Sequence, residues 1–237
     1  MTSVSPSDAA ARVEQLLAPP TDVAARSRAV AAAHASAALL GHSERSWVLA
    51  AELGRREGVA FDPELLYAAS LLHDLGLVAS FDSHEVAFER AGGDVARVFA
   101  AGAGWGDDRQ RRLGEVVVRH MWPAVSAELD AEGHLLERAT SLDVSGVGGG
   151  DWEPAFVAAL VERVPRTGFA AEFGVAIAAQ AHRKPATEAG RAVRSGITRR
   201  LAENPLDRLA EAPPRPARGL TALRRNGEAP PRVAPLA

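Results

Sequence analysis

The amino-acid sequence predicts an all-α protein. Strand signals are weak, because the chain has a single tyrosine, only short runs of β-branched residues and no segment that alternates regularly between apolar and polar positions. Alanine, leucine, arginine and glutamate instead recur at the three- and four-residue spacing of an amphipathic helix. This spacing predicts helices near residues 7–17, 22–40, 43–57, 63–74, 83–101, 108–122, 132–143, 153–164, 168–182 and 186–203.

Helix boundaries are best marked around the fourth of these elements. In Asp62-Pro63-Glu64, the aspartate suits an N-cap and the proline suits the first helical position. Gly58 and Gly76 are placed to end the helices that precede them, because glycine adopts the left-handed conformation of a helix C-terminus without strain.

The C-terminal segment has a different composition. Apolar periodicity fades after residue 204, and frequent prolines prevent a long helix. We therefore predict one domain over residues 1–204, with a core at about 25–185, and a mostly disordered Pro/Arg-rich tail over 205–237. The alternative is an extended arm that packs on a neighbouring subunit. The prolines of this segment are Pro205, Pro213, Pro214, Pro216, Pro230, Pro231 and Pro235.

Composition excludes several classes of function. The net charge is −3, so the chain has no overall positive field that would attract nucleic acid. The chain lacks cysteine, so a metal site must be built from histidine and carboxylate ligands. The sequence shows neither a signal-like leader nor a long apolar run. We expect a cytoplasmic protein that acts on a small-molecule substrate, without nucleic acid or membrane; homo-oligomerisation stays open.

The adjacent pair His73-Asp74 is the most informative feature of the chain. It follows the apolar run 65–72 and is therefore expected to be buried. An unpaired buried charge costs several kcal/mol, on the order of the penalties measured for buried ions, and a bound divalent metal removes this cost. His42 and Asp143 are further candidate ligands. Two imidazoles and two carboxylates would form a neutral site for a divalent ion, with one or two positions left for water.

The order His, His-Asp, Asp and the segment Leu71-Leu72-His73-Asp74-Leu75-Gly76 resemble the HD superfamily of metal-dependent hydrolases. The stretch 88–99, Phe-Glu-Arg-Ala-Gly-Gly-Asp-Val-Ala-Arg-Val-Phe, is similar to a segment of the cyanamide hydratase-like branch. The resemblance covers roughly residues 25–185. It implies an HD-domain helical bundle and one divalent ion, Zn²⁺ or Fe²⁺ first, with Mn²⁺, Co²⁺ or Ni²⁺ as alternatives.

The same resemblance implies roles for individual residues. His42, His73, Asp74 and Asp143 would ligate the metal, and a metal-activated water would attack a small molecule, so that the chain is a hydrolase or hydratase. Asp74, Glu89 and His120 would be the catalytic side chains, with Glu89 and His120 carrying protons. The alternatives are an exposed Glu89 paired with a neighbouring arginine, and a core His120 that donates to a backbone carbonyl.

Three other functions stay open from the sequence. An HD phosphohydrolase would need arginines near the site, for which Arg45 is the first candidate and Arg119 the second. Against it, Leu77 stands where many HD nucleotidases carry a glutamate. His84 together with His120 would form a second metal position in a dinuclear site. A degenerate HD domain would bind a ligand without catalysis.

Tryptophans offer one further expectation for the substrate site. Trp105, Trp122 and Trp152 would wall a narrow apolar pocket, which favours a small neutral substrate over a nucleotide.

Overall fold

The computed structural model describes residues 5–211 of the chain. These residues contain α-helices and short 3₁₀ turns and no β-strand, so the all-α prediction is confirmed. The helices are α1 Pro6–Leu17, α2 Asp22–His34, α3 Ala37–Glu57, α4 Pro63–Leu72, α5 Phe88–Gly102, α6 Asp107–Arg119, α7 Ala131–Ser145, α8 Pro154–Arg163, α9 Phe169–Arg183, α10 Glu188–Arg194, α11 Ile197–Ala202 and α12 Pro205–Glu211.

The helix predicted over 22–40 is divided in two. α2 ends at His34, and α3 begins at Ala37 with Ser36 as its N-cap, whose hydroxyl accepts from the Leu39 N–H. The break arises because a serine side chain satisfies one of the free N–H groups at a new helix start. As a consequence, His42 lies inside α3, more than a turn after its first residue.

Two other predicted boundaries also need correction. The helix expected over 83–101 begins only at Phe88. The helix expected over 186–203 is interrupted at Ser195 and Gly196, where Gly196 has a φ of 82°. A positive φ cannot continue a right-handed helix, so α10 and α11 form a corner.

The boundary predicted for the disordered tail, residue 205, lies too early in the chain. α12, Pro205–Glu211, is a helix, and its Leu206 is buried in the main hydrophobic core with 5% of its surface exposed. The proline that suggested a break occupies the start of this helix, where its missing N–H is not needed. The rest of the predicted tail, residues 212–237, lies outside the described residues.

Two hydrophobic clusters support the bundle. The larger one joins α1–α8, with α3 against α7, α2 against α4 and α1 against α8. The smaller one centres on Phe169, Phe173 and Ile177 of α9, which pack with residues of α3, α7, α10 and α11. Among the described residues, no helix combines the length and the apolar character needed to cross a bilayer.

Two glycines hold the turn after α4 tightly against α5. A β-carbon on Gly76 would lie 2.0 Å from the Phe88 carbonyl oxygen, and one on Gly92 would lie 2.7 Å from the His73 carbonyl oxygen. Neither position tolerates a side chain, because such distances are far below van der Waals contact. The predicted role of Gly76 as a helix end is thus replaced by a close backbone contact that fixes the His73-Asp74 turn.

Asp130 is expected to contribute strongly to stability. It caps α7 by accepting from the Gly133 N–H at 2.6 Å, it accepts from Arg112 and Arg119, and it is 4% exposed. Burial alone would raise its pKa, but these hydrogen bonds hold the pKa below its usual value. Asp130→Asn should lower the free energy of unfolding by about 2–3 kcal/mol, because two guanidinium groups lose their carboxylate.

Urea denaturation of Asp130→Asn against the parent protein checks this expectation. The difference should shrink below about pH 5, since a carboxyl with a depressed folded-state pKa loses its stabilising effect as the pH falls. Asp108→Asn, at an exposed surface pair with Arg111, is the control and should change stability by less than about 1 kcal/mol. Equal effects of the two variants would contradict the expectation.

Candidate metal centre

Three of the predicted ligands converge at one point in the protein interior. The Nε2 atoms of His42 and His73 lie 3.1 Å apart, and the Oδ2 atom of Asp74 lies 3.5 Å and 3.3 Å from them. All three side chains are buried, at 1%, 0% and 2% exposure. Within residues 5–211, this is the group of donors whose spacing could hold a metal ion.

The folding of α3 and α4 places these donors. His42 projects from the second turn of α3, while His73 caps the end of α4 and Asp74 starts the following 3₁₀ turn. Adjacent residues on a continuous helix would point about 100° apart, so the end of α4 is where a His-Asp pair can meet one ion.

The Nδ1 atom of each imidazole, which is not one of the converging donor atoms, has its own hydrogen-bond partner. His73 Nδ1 lies 2.8 Å from the Ser70 carbonyl oxygen, which only accepts, so Nδ1 carries the proton and Nε2 presents its lone pair. His42 Nδ1 lies 2.6 Å from Asp143 Oδ2, which defines the same tautomer. Hydrogen bonds of this kind orient histidines that ligate metals.

Asp143 lies behind His42 and is not one of the three converging donors. Arg45 binds its carboxylate in a bidentate manner, Nε to Oδ1 at 2.7 Å and Nη2 to Oδ2 at 2.8 Å. Arg166 adds a contact to Oδ1 at 3.1 Å. With both oxygens bound to guanidinium groups and to His42, Asp143 in this arrangement holds His42 in place rather than joining Asp74.

The electrostatics of the centre follow from burial and from these pairs. Burial would raise the pKa of Asp74 and Asp143, but the neighbouring histidines and arginines, respectively, hold both carboxyls well below their usual range. Burial lowers the pKa of His42, whereas Asp74 raises that of His73 against the effect of burial. Asp74 thus favours a positive charge at the donor group, which a bound cation would supply to all three donors.

This donor set fits a divalent cation. Asp74 Oδ2 is buried and receives no hydrogen bond from the described residues, although it faces two histidine nitrogens. Two nitrogen lone pairs and a carboxylate oxygen in mutual contact repel one another unless a cation lies between them. Histidine nitrogen and carboxylate oxygen are ligands that Zn²⁺ and Fe²⁺ accept.

His120 closes the other side of Asp74. Its Nε2 lies 3.6 Å from Asp74 Oδ1, its ring contacts that of His73 with centroids 4.7 Å apart, and its Nδ1 donates to the Val117 carbonyl. His120 therefore donates to a backbone carbonyl, as one of the two expectations has it, and it also faces the donor group, while its catalytic role stays a prediction. Burial lowers its pKa to about 3, so the imidazole is neutral and its Nε2 is an acceptor.

Glu89 is buried, as expected for a functional rather than a surface residue, but it does not line the cavity at the donor group. Its Oε2 atom has no hydrogen-bond partner among residues 5–211, and burial raises its pKa. The charges that influence it belong to Glu188, Arg90 and Lys184, none of which is a candidate ligand.

A cavity of about 180 Å³ opens onto the donor group. His42, His73, Asp74 and His120 form its floor. The rest of its wall comes from the loop after α6 and from α7, α9, α10 and α11. These wall residues are Met121, Trp122, Pro123, Glu137, Thr140, Ser141, Val144, Ser145, Val147, Phe173, Arg191, Ala192, Ser195, Ile197 and Arg200.

Of the three tryptophans that were expected to wall the substrate pocket, Trp122 lines this cavity, whereas Trp105 and Trp152 are buried in the main core. Phe169 also contacts the donor group, although no sequence prediction includes it. Its ring stacks on His42 with centroids 4.6 Å apart and an interplanar angle of 15°. No local sequence pattern marks such a contact.

The structure also bears on the dinuclear-site and phosphohydrolase alternatives. His84 is exposed and does not join the donor group, so the described residues give a second metal position no support. Arg45 is fully buried on Asp143, and Arg119 is paired with Asp130 and Glu115. Neither arginine is free to bind a phosphate.

Comparisons with known proteins agree with this geometry. Residues 39–141 match the family profile of the HD domain, a range that includes His42, His73, Asp74 and His120. Two proteins of Saccharomyces cerevisiae, the cyanamide hydratases DDI2 and DDI3, are each 28% identical to the chain over 181 residues, which is 74% of this chain and 80% of the yeast proteins. These similarities support an assignment of the chain to the HD superfamily, in its cyanamide hydratase-like branch.

Proposed function

We propose that the chain is a metal-dependent hydratase that adds water to a nitrile or a similarly compact electrophile. The observation that carries this proposal is the convergence of His42 Nε2, His73 Nε2 and Asp74 Oδ2 at the floor of a small cavity. The similarity to two cyanamide hydratases supports the reaction class.

His42, His73 and Asp74 would hold the ion, with Zn²⁺ or Fe²⁺ as the expected metals. Three protein ligands are typical of catalytic sites, because they leave a coordination position for a reactant. When bound, such an ion would lower the pKa of a coordinated water to about 7 and would polarise the substrate. Asp143 and Ser70 supply the hydrogen bonds that keep the two imidazoles in the required tautomer.

We assign proton transfer to His120. Addition of water to a nitrile forms a carbon–oxygen bond and moves one proton from the water to the nitrile nitrogen, and the resulting imidic acid then becomes the amide when its hydroxyl proton moves to the same nitrogen. His120 Nε2 faces the donor group, its Nδ1 is committed to Val117, and it can accept the water proton and return it to nitrogen. We assign Glu89 no part in this step, because the residues that line the cavity do not include it.

Two observations favour this function over the phosphohydrolase alternative. A nucleotide needs arginines or a helix N-terminus that face its phosphates. The two arginines that the sequence offered for this purpose are engaged by carboxylates, and a cavity of about 180 Å³ is below the usual range of roughly 300–1,000 Å³ for drug-sized ligands.

A substrate panel tests the proposal. The purified protein would be assayed with cyanamide, small aliphatic nitriles and 5′-nucleotides, with formation of urea, amide or phosphate as the readouts. We expect turnover of cyanamide or a nitrile that a chelator abolishes and added metal restores. Turnover of a nucleoside monophosphate with none of any nitrile would refute the hydratase.

The role of His120 leads to a separate prediction. His120→Gln should lower kcat for cyanamide by about 10²–10³-fold, the range for loss of a general base, while metal content stays that of the parent protein. His84→Gln, at the exposed histidine that would serve a dinuclear site, is the control and should leave both values unchanged. Full activity of His120→Gln would remove this residue from the mechanism.

A further inference from the structure

The outer wall of the cavity is built by α10 and α11, which lie beyond the segment that matches the HD domain. Arg200 of α11 is part of this wall. Its Nη1 donates to the Ser195 carbonyl at 2.6 Å, which folds the guanidinium back over the corner between the two helices. The segment that matches the HD domain thus provides the donor group, and the corner between α10 and α11 provides side chains of the cavity wall.

Arg200 has unused hydrogen-bonding capacity. Its Nε atom is buried and has no hydrogen-bond partner among residues 5–211. Within that same range, no carboxylate lies in ion-pair contact with it. A buried N–H without an acceptor is unfavourable, so the guanidinium of Arg200 gains when a ligand supplies an oxygen.

The other arginines around the cavity differ from Arg200 in this respect. Arg191, also on the wall, binds Glu188 through Nε and donates to the Met121 carbonyl through Nη2 at 2.7 Å. Arg45 and Arg166, behind the donor group, are neutralised by Asp143 and Asp207. The positive charge of Arg200 is therefore the one on the cavity wall that no side chain of the described residues balances.

Glu137 is the acidic residue on the same wall, and it does not cancel this charge. Its Oε1 accepts from the Ser141 hydroxyl at 2.9 Å. Burial raises the pKa of Glu137, which favours its neutral form. The charged groups that influence the pKa of Glu137 are Arg138 and His134 rather than Arg200.

The cavity also exceeds what cyanamide, H₂N–C≡N, would fill. Its volume of about 180 Å³ is several times the roughly 30 Å³ that one water molecule takes up in the liquid, whereas cyanamide is a compact molecule without a side chain. A substrate whose reacting carbon lies at the donor group therefore has room for a substituent that extends toward α11.

We propose that Arg200 binds an anionic group of the substrate, so that the preferred substrate is a small nitrile, or similar electrophile, that carries a carboxylate. The inference rests on the proposed hydratase function and refines its substrate class. Arginine is suited to this role because its planar guanidinium binds both oxygens of a carboxylate at once.

The experiment compares cyanoacetate with cyanoacetamide, which has nearly the same shape but no charge. We expect the parent protein to prefer cyanoacetate by about ten- to hundredfold in kcat/KM, the range of a charge-assisted hydrogen bond, and Arg200→Gln to bring this ratio near one, mainly through KM. Arg200→Lys should retain part of the preference. Arg199→Gln, at the exposed neighbour on α11, is the matched control and should keep it.

Calorimetric binding of the same two compounds gives a readout that does not depend on turnover. A parent protein that binds or converts both equally, or an Arg200→Gln variant with an undiminished preference, would overturn the inference. No turnover of cyanamide or any nitrile, combined with tighter Arg200-dependent binding of cyanoacetate, would refute the hydratase and leave the anion site standing. Thermal melting of each variant confirms that it is folded.

Discussion

His73→Ala is expected to reduce turnover of cyanamide by at least about a thousandfold, because the activation of water by the bound ion is lost with its ligand. His73 is fully buried, and its Nε2 contacts both other donors, at 3.1 Å from His42 Nε2 and 3.3 Å from Asp74 Oδ2. Steady-state rates of urea formation measure the effect.

His182→Ala is the matched control, because this histidine lies exposed on α9 and away from the cavity lining. It should retain the parent rate. Circular dichroism and thermal melting would show that His73→Ala is folded, so that a lost rate reports on chemistry. Substantial activity in a folded His73→Ala variant would defeat the proposed mechanism.

Arg45→Met is expected to lower the free energy of unfolding by about 3–5 kcal/mol, the cost of removing one partner of a buried ion pair. Arg45 and Asp143 are both fully buried, and the guanidinium also donates to the Pro165 carbonyl at 3.1 Å. Without Arg45, the Asp143 carboxylate keeps only Arg166 and His42 as partners. Urea denaturation followed by circular dichroism gives the value.

A double-mutant cycle measures the interaction energy between Arg45 and Asp143 separately from the other contacts of each residue. Adding Asp143→Asn to Arg45→Met should cost far less than the sum of the two single variants, because the second change removes the stranded charge. Arg55→Met, at a partly exposed pair with Glu52, should cost less than about 1 kcal/mol. Additive single effects would show that Arg45 and Asp143 do not stabilise each other.

The sequence was sufficient for the inner part of the site. His73 and Asp74 are adjacent in an apolar run, a combination that physical chemistry permits only with a partner, and their neighbours match a family motif. The contact between His42 and this pair is confirmed by the structure. Such motifs can be read because the chemistry dictates residue type and order along the chain.

The partners of Asp143 could not be predicted from the sequence. The sequence marks it as a buried carboxylate that needs a partner, and that much is correct. It does not reveal that Arg45 and Arg166 reach the carboxylate from α3 and from the segment before α9. Which partner a buried charge finds is decided by tertiary packing, and a single sequence does not encode it locally.

The outer part of the site was not predictable for the same reason. Glu137 and Arg200 reach the cavity from α7 and α11, and neither belongs to a motif. Glu89 does belong to one, yet it is buried away from the cavity wall. The breaks at Ser36 and Gly196 depend on single capping or positive-φ residues, whose effect competes with a continuous helical pattern on each side.

Inductively coupled plasma mass spectrometry of the purified protein and of Asp74→Ala measures whether a metal binds at the donor group. Three converging donors predict about one divalent ion per chain in the parent protein and a small fraction of that in the variant. A folded parent protein that takes up no divalent metal even when supplied with Zn²⁺ or Fe²⁺, or an Asp74→Ala variant that keeps its full complement, would contradict this prediction.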